Sequence, residues 1–205
     1  MNIFYQINSY FTTTLNSYVL ENNLEKTVGL ISDAPIFFLP IFLLSVWIFH
    51  TFKKTSSTNI VIGNKKKILK KSELLNIVYG VILAIIINLL IQSIIKIDRP
   101  ESIIKAILKH IPDASFPSDH ASVSFAFLTG LFITGYKKIG YIFGIFVILM
   151  NFSRIAGGIH WFFDIIAGIF VGILSSVFVF KYLKNTIFII NLNNIIIKIL
   201  SYIKL

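Results

Sequence analysis

The segment LLNIVYGVILAIIINLLIQSII, Leu74 to Ile95, decides the fold. It carries no charged residue across 22 positions, and 16 of them are Ile, Leu, Val or Ala. A helix needs about 20 predominantly apolar residues to cross a bilayer, so this stretch reads as a membrane span. Four further segments read the same way: about Pro35 to Phe52, His120 to Tyr136, Ile139 to Phe152 and Trp161 to Tyr182. The fourth is short unless it continues toward Gly157. Ile187 to Leu205 is apolar but interrupted by Asn191, Asn193, Asn194 and Lys198. It reads as a peripheral helix, with a sixth span as the alternative. Residues 1–25 mix Phe, Tyr, Ile and Leu with Asn, Thr and Ser, a pattern that suits an amphipathic helix lying on the membrane. The expected fold is an all-α integral membrane protein, a bundle of five (possibly six) transmembrane helices with an amphipathic N-terminal helix. Residues 1–205 are expected to form one domain.

The composition agrees. Hydrophobic residues make up 56% of the chain and charged ones 14%, against about 25% charged in a soluble domain. The mean hydropathy is +0.82. The formal charge of +10 is expected to mark cytoplasmic loops rather than a nucleic-acid surface. There is no cysteine, which excludes disulfides, thiolate metal sites and cysteine nucleophiles. The first residues lack a basic region followed by a compact apolar run, so no cleavable signal peptide is expected.

Charge sets the orientation. Lys53, Lys54, Lys65, Lys66, Lys67, Lys70 and Lys71 lie between the first two spans, Lys137 and Lys138 between the third and fourth, and Lys181 and Lys184 after the fifth. Excess lysine marks the cytoplasmic side. Glu21, Glu25 and Asp33 outnumber Lys26 near the N-terminus, which is therefore expected outside. Five spans satisfy all these placements, and they put residues 96–119 and 153–160 together on the extracytoplasmic face.

Those two loops hold the chain's chemistry. Ionisable residues at a membrane are costly and read as functional by default. His160 and Asp164 are four apart, the spacing that shares a helix face. The carboxylate can fix the imidazole tautomer and leave the other ring nitrogen as nucleophile; a cap or plain hydrogen bond would give the same spacing. Ser153-Arg154 precedes the glycine pair Gly157-Gly158. Arginine offers a planar fork that fits phosphate, with Asp164 or Asp98 as the bland partner. Pro117-Ser118-Asp119-His120 opens the third span, where free amides at a helix N-terminus favour anions. Taken alone, it is also an ordinary N-cap, and Arg99-Pro100 alone is an ordinary loop pair. Trp161 and Phe162 read as interface anchors, His50 as structural and His110 as a solvated loop residue.

Together the fragments resemble the type 2 phosphatidic acid phosphatase (PAP2) superfamily, whose pattern is Lys-x6-Arg-Pro, Pro-Ser-Gly-His and Ser-Arg-x5-His-x3-Asp. The third motif matches in full at Ser153, Arg154, His160 and Asp164. The second matches at Pro117, Ser118 and His120, with Asp119 in place of glycine. Ser-Phe-Pro-Ser-Asp-His is similar to the bacitracin-resistance branch of undecaprenyl-diphosphate phosphatases. The first motif departs: Gln92 stands where the lysine belongs, and Lys96 would share a face with Arg99 if that stretch were helical. The resemblance covers about residues 74–180.

It implies a phosphatase that needs no metal and no cofactor. His160 would be the nucleophile, Asp164 its orienting carboxylate, and His120 the general acid and then base. Arg99, Arg154, Ser118 and Lys96 would bind phosphate. Asp119, Gln92 and Ser153 would touch or tune the site, Asp119 by pairing with an arginine or by acting on His120. The implied setting is a bacterial cytoplasmic membrane, with an undecaprenyl (polyprenyl) diphosphate substrate, lipid surroundings and no nucleic-acid partner. The sequence leaves the oligomeric state open. Phosphatidic acid or phosphatidylglycerophosphate is the alternative substrate. Non-enzymatic lipid-phosphate binding or anion transport is the alternative from another class, although transport sites usually lie near the bilayer midplane and these motifs lie at span ends.

Overall fold

A computed structural model describes residues 3–52, 71–108 and 114–202. Seven α-helices carry it: α1 (Ile3–Glu21), α2 (Glu25–Phe52), α3 (Lys71–Ile94), α4 (Asp119–Ile133), α5 (Lys137–Ala156), α6 (Phe162–Phe178) and α7 (Ile187–Tyr202). A π-helical turn, Val179–Leu183, extends α6. The lysine-rich segment 53–70 and His110, both read from sequence above, lie outside the described residues.

Among the described residues, four helices are long and apolar enough to cross a bilayer: 25–49, 71–94, 137–156 and 162–183. The protein is an all-α, multi-pass membrane protein. The third expected span is α4, and at 15 residues it reaches only about 22 Å against a hydrocarbon core of about 30 Å. The chain leading into α4 is accordingly packed among its neighbours, with Ser115 and Ser118 fully buried.

The first span starts earlier than expected, at Glu25 rather than near Pro35. Pro35 and Pro40 lie inside α2, because a helix in lipid keeps its hydrogen bonds internal and tolerates proline. Asp33 therefore belongs to the helix and not to a loop. The fourth span does continue past Phe152, to Ala156.

At the centre α3, α4 and α6 pack against one another, while α2 lies along α5. The α4–α6 crossing is close because Gly168 and Gly172 face α4. A Cβ on Gly168 would stand 2.6 Å from the Ser118 carbonyl oxygen, and one on Gly172 would stand 2.8 Å from the Ala126 amide. Small residues four apart permit such backbone approach in membranes. At the opposite end Leu74, Ile77, Phe127, Leu131, Tyr136 and Phe180 form the main apolar core. Tyr136, in the tight α4–α5 connection, has its phenol pushed up to about 12 by burial and by nearby Glu73. Ile41, Leu90, Ile148 and Phe170 point outward, the apolar exterior that a bilayer covers.

The C-terminal end of α3, the N-terminus of α4, the C-terminus of α5 and the N-terminus of α6 share one end of the bundle. Lys137, Lys138 and Lys184 belong to the other.

Candidate active site

His160 sits in the short link between α5 and α6, fixed by the turn that ends α5. Gly157 and Gly158 make that turn. Gly158 has φ +66°, a conformation that costs glycine little and other residues more. The Gly157 carbonyl accepts from the Ile107 amide at 2.9 Å, and Asn16 of α1 donates to the carbonyls of Lys105 at 3.2 Å and Ala156 at 3.3 Å. The loop before α4 is thereby tied to the end of α5.

The imidazole is buried. Its Nδ1 lies 3.0 Å from the Ser115 carbonyl oxygen, which needs Nδ1–H as donor and leaves the lone pair on Nε2. Asp164 stands next to it, with Oδ2 at 3.5 Å from Nδ1. That carboxylate accepts from the Ser115 hydroxyl and from the Trp161 amide at 2.8 Å, so it also caps α6. Asp164 thus reaches His160 largely through Ser115. Burial, together with the nearby charges of Arg154 and Arg99, holds the His160 pKa well below 6.5. The ring is neutral in the resting protein, as a nucleophile requires.

Arg99 completes that side. Its Nη1 donates to the Ile159 carbonyl at 3.1 Å and lies 3.3 Å from His160 Nε2. A guanidinium beside Nε2 offers positive charge to any anion that reaches that nitrogen. Ser118 is the N-cap of α4, and its buried Oγ has no hydrogen-bond partner among the described residues. His120 follows, a quarter exposed.

Arg154 is almost completely buried. Neither Asp164 nor Asp98, the two candidate acids, takes its short ion pair. Nη1 binds instead to Asp33 Oδ1 at 2.6 Å and to the Ser32 carbonyl at 3.2 Å, both on α2. The same Asp33 oxygen lies 3.5 Å from His120 Nε2.

Four other expected site residues take different places. Residues 95–99 are not helical, so Lys96 has no helical face in common with Arg99, and its side chain is exposed. Gln92 donates to Asp119 Oδ1 at 3.2 Å and to the Pro117 carbonyl at 3.1 Å. Asp119 also accepts from Asn88 at 2.7 Å, so its hydrogen-bond partners are amides rather than an arginine. Ser153 donates within its own helix to the Met150 carbonyl at 2.8 Å. Trp161 is buried, with its indole N–H on the Asp98 carbonyl at 2.8 Å; it holds the loop and is not an interface anchor.

Ser115, Asp33 and Asn88 were not singled out by the sequence. Ser115 lay within a quoted motif, and a serine two before Pro117 was its only signal. Asp33 had one as well: an acid two residues before Pro35, at the edge of a long apolar run.

Below this cluster lies an apolar cavity of about 290 Å³ between α2 and α5, lined by Pro35, Phe42, Phe143, Val147 and Met150 among others. Pro35 is two residues from Asp33, and Met150 is one turn from Arg154. Among the described residues no group of three His, Cys, Asp or Glu side chains could hold a metal ion.

Known proteins resemble this chain in sequence and in fold. "Bacitracin transport permease protein BcrC" of Bacillus licheniformis is 38% identical over 79 residues, a match that spans 38% of this chain and only 37% of that protein. "Undecaprenyl-diphosphatase BcrC" of Bacillus subtilis is 28% identical over 161 residues, 78% of this chain and 75% of that one. Among solved structures, Aquifex aeolicus LpxE superposes with a TM-score of 0.62 at 18% identity, covering 86% of this chain and 96% of its own. A transmembrane PAP2 type phosphatidylglycerolphosphate phosphatase from Bacillus subtilis superposes at 0.63 with 20% identity, covering 92% and 90%. The PAP2 superfamily model matches residues 73–188, more than half of the chain and every motif described above, and the chain belongs to that superfamily.

Proposed function

We propose that this chain is a lipid phosphatase of the bacterial cytoplasmic membrane. It removes the terminal phosphate of a polyprenyl diphosphate, undecaprenyl diphosphate first among them, at the extracytoplasmic face. Residues 1–205 act as one domain. The observation that carries the reading is the buried, neutral His160, with Nδ1 held by the Ser115 carbonyl and Nε2 beside Arg99. Nε2 attacks phosphorus, and the bond to the leaving oxygen breaks. His120 gives that oxygen a proton. His120 then takes a proton from water as the water attacks the phosphohistidine, freeing inorganic phosphate and restoring His160. Arg99, Arg154 and Ser118 stabilise the charge on the equatorial oxygens, the main task in phosphoryl transfer. The exposed Lys96 supplies a distal positive charge to the headgroup, and Gln92, Asp119 and Ser153 support the site without touching phosphorus.

The diphosphate is favoured over a monoester because the relative matched over three quarters of the chain is named for that activity. The cavity between α2 and α5 supplies an apolar berth for the chain next to the headgroup. The motifs sit at helix ends, not near a bilayer midplane where transport sites lie, and this favours catalysis over transport.

The test is phosphate release in detergent with EDTA present, from undecaprenyl diphosphate, phosphatidylglycerophosphate and phosphatidic acid. Release that survives EDTA, favours the diphosphate and disappears in His160→Ala is the expected result. Release of equal rate in His160→Ala would remove the phosphohistidine step. Preference for a phospholipid would reassign the substrate.

A further inference from the structure

Asp33 lies outside all three motifs, yet it closes the site. One carboxylate oxygen bridges the buried Arg154, at 2.6 Å, and the general acid His120, at 3.5 Å. Those are two of the groups that would grip the oxygens of a phosphate. The other two carboxylates nearby are engaged elsewhere: Asp164 by Ser115 and Trp161, Asp119 by Asn88 and Gln92. Asp33 is also the accessible member of its pair. Its side chain is 42% exposed against 1% for Arg154.

We infer that Asp33 is an internal anion that occupies the phosphate position in the resting site and competes with any phosphate for Arg154 and His120. The inference rests on the phosphatase reading for the identity of the site. Its physical basis is charge. Phosphate and carboxylate repel when both face Arg154 and His120, so phosphate binding is favoured when Asp33 withdraws, and a return of Asp33 helps expel the product. A lipid substrate recovers that cost through its apolar chain. Free inorganic phosphate has no such compensation. Asp33 therefore makes the site discriminate against inorganic phosphate, the product that would otherwise accumulate on two arginines.

The opposite role is equally definite. If Asp33 served to position Arg154 and His120 for phosphate, its removal would weaken anion binding. The two roles predict opposite signs. Asp33→Asn keeps an oxygen acceptor for Arg154 and removes the charge, and Asp33→Ala removes both. The affinity of wild type and both variants for inorganic phosphate and orthovanadate is read by thermal shift in detergent, which requires no turnover. The expected result is binding at least about fivefold tighter in Asp33→Asn, the direction set by loss of a like charge a few ångströms away, with stronger product inhibition wherever turnover is measurable. Unchanged or weaker binding in Asp33→Asn, including no detectable binding in either protein, would overturn the inference. Gel filtration checks that each variant is folded. A chain that binds phosphate but hydrolyses no lipid phosphate would fail the phosphatase reading while still giving the sign for Asp33.

Discussion

On the proposed reading, the proton on His160 decides whether the ring can attack phosphorus. Free imidazole titrates near pH 6.5; burial and two arginines hold His160 well below that. Its nucleophilic form should therefore persist in mildly acidic solution. In nanodiscs, ¹⁵N spectra of the imidazole should show His160 neutral at pH 6.5 and titrating only below it. A midpoint at or above 6.5 would mean that water or an unrecognised anion reaches the ring. The linkage has a definite sign. Below pH 6.5 the unfolded chain takes up a proton that the folded site refuses, so the contribution to stability is full well above 6.5 and falls as pH drops through that value toward the folded pKa. At this scale the sequence was most legible where spacing implies contact. The His160–Asp164 spacing of four was readable, although Asp164 accepts its hydrogen bond from Ser115 and stands 3.5 Å from the imidazole. Arg154 was legible as a cation near the membrane needing an anionic partner, but the partner was not: Asp33 lies 121 positions away, and only the fold brings it there.

Between elements, the decisive contact is the α4–α6 crossing. It places Ser118 and His120 next to His160 and Asp164, since the Ser118 amide donates to the Asp164 carbonyl at 3.1 Å. Gly168 and Gly172 make that approach possible. Gly172→Ala would drive a methyl group into the backbone of Ser122 and Ala126, and overpacking of this kind costs about 1–3 kcal/mol. The expected outcome is a lower melting temperature in detergent together with reduced phosphate release, since the helices must separate where the site is assembled. An unchanged melting temperature would show that the crossing has slack. Gly144→Ala is the control, because its added methyl meets only Leu128 side-chain carbons at 3.9 Å. The helices themselves were legible from uninterrupted apolar runs such as 74–95. Their limits were not. Ser32, Asp33 and Pro35 resemble a boundary in one dimension, but α2 continues through them because Arg154 partners the charge and the helix absorbs the proline.

On the scale of the whole molecule, polarity is separated by end. The arginines, histidines and carboxylates of the site gather where α3, α5 and the link into α4 terminate, and Lys137, Lys138 and Lys184 gather at the other end. Positive residues favour the cytoplasmic side, so the site should face outward, where a lipid diphosphate released outside the cell would be met. The absence of cysteine makes this directly testable. Glu101→Cys places one thiol on an exposed turn at the site end, and Lys138→Cys places one on the exposed start of α5 at the other. In intact cells a membrane-impermeant maleimide should label position 101 and leave 138 unlabelled until the membrane is opened. The reverse pattern would put the site in the cytoplasm and remove the argument that the enzyme serves a carrier released outside. Labelling of both in intact cells would mean that the two ends are not on opposite sides, and the short α4 would then be the first helix to reconsider as a span.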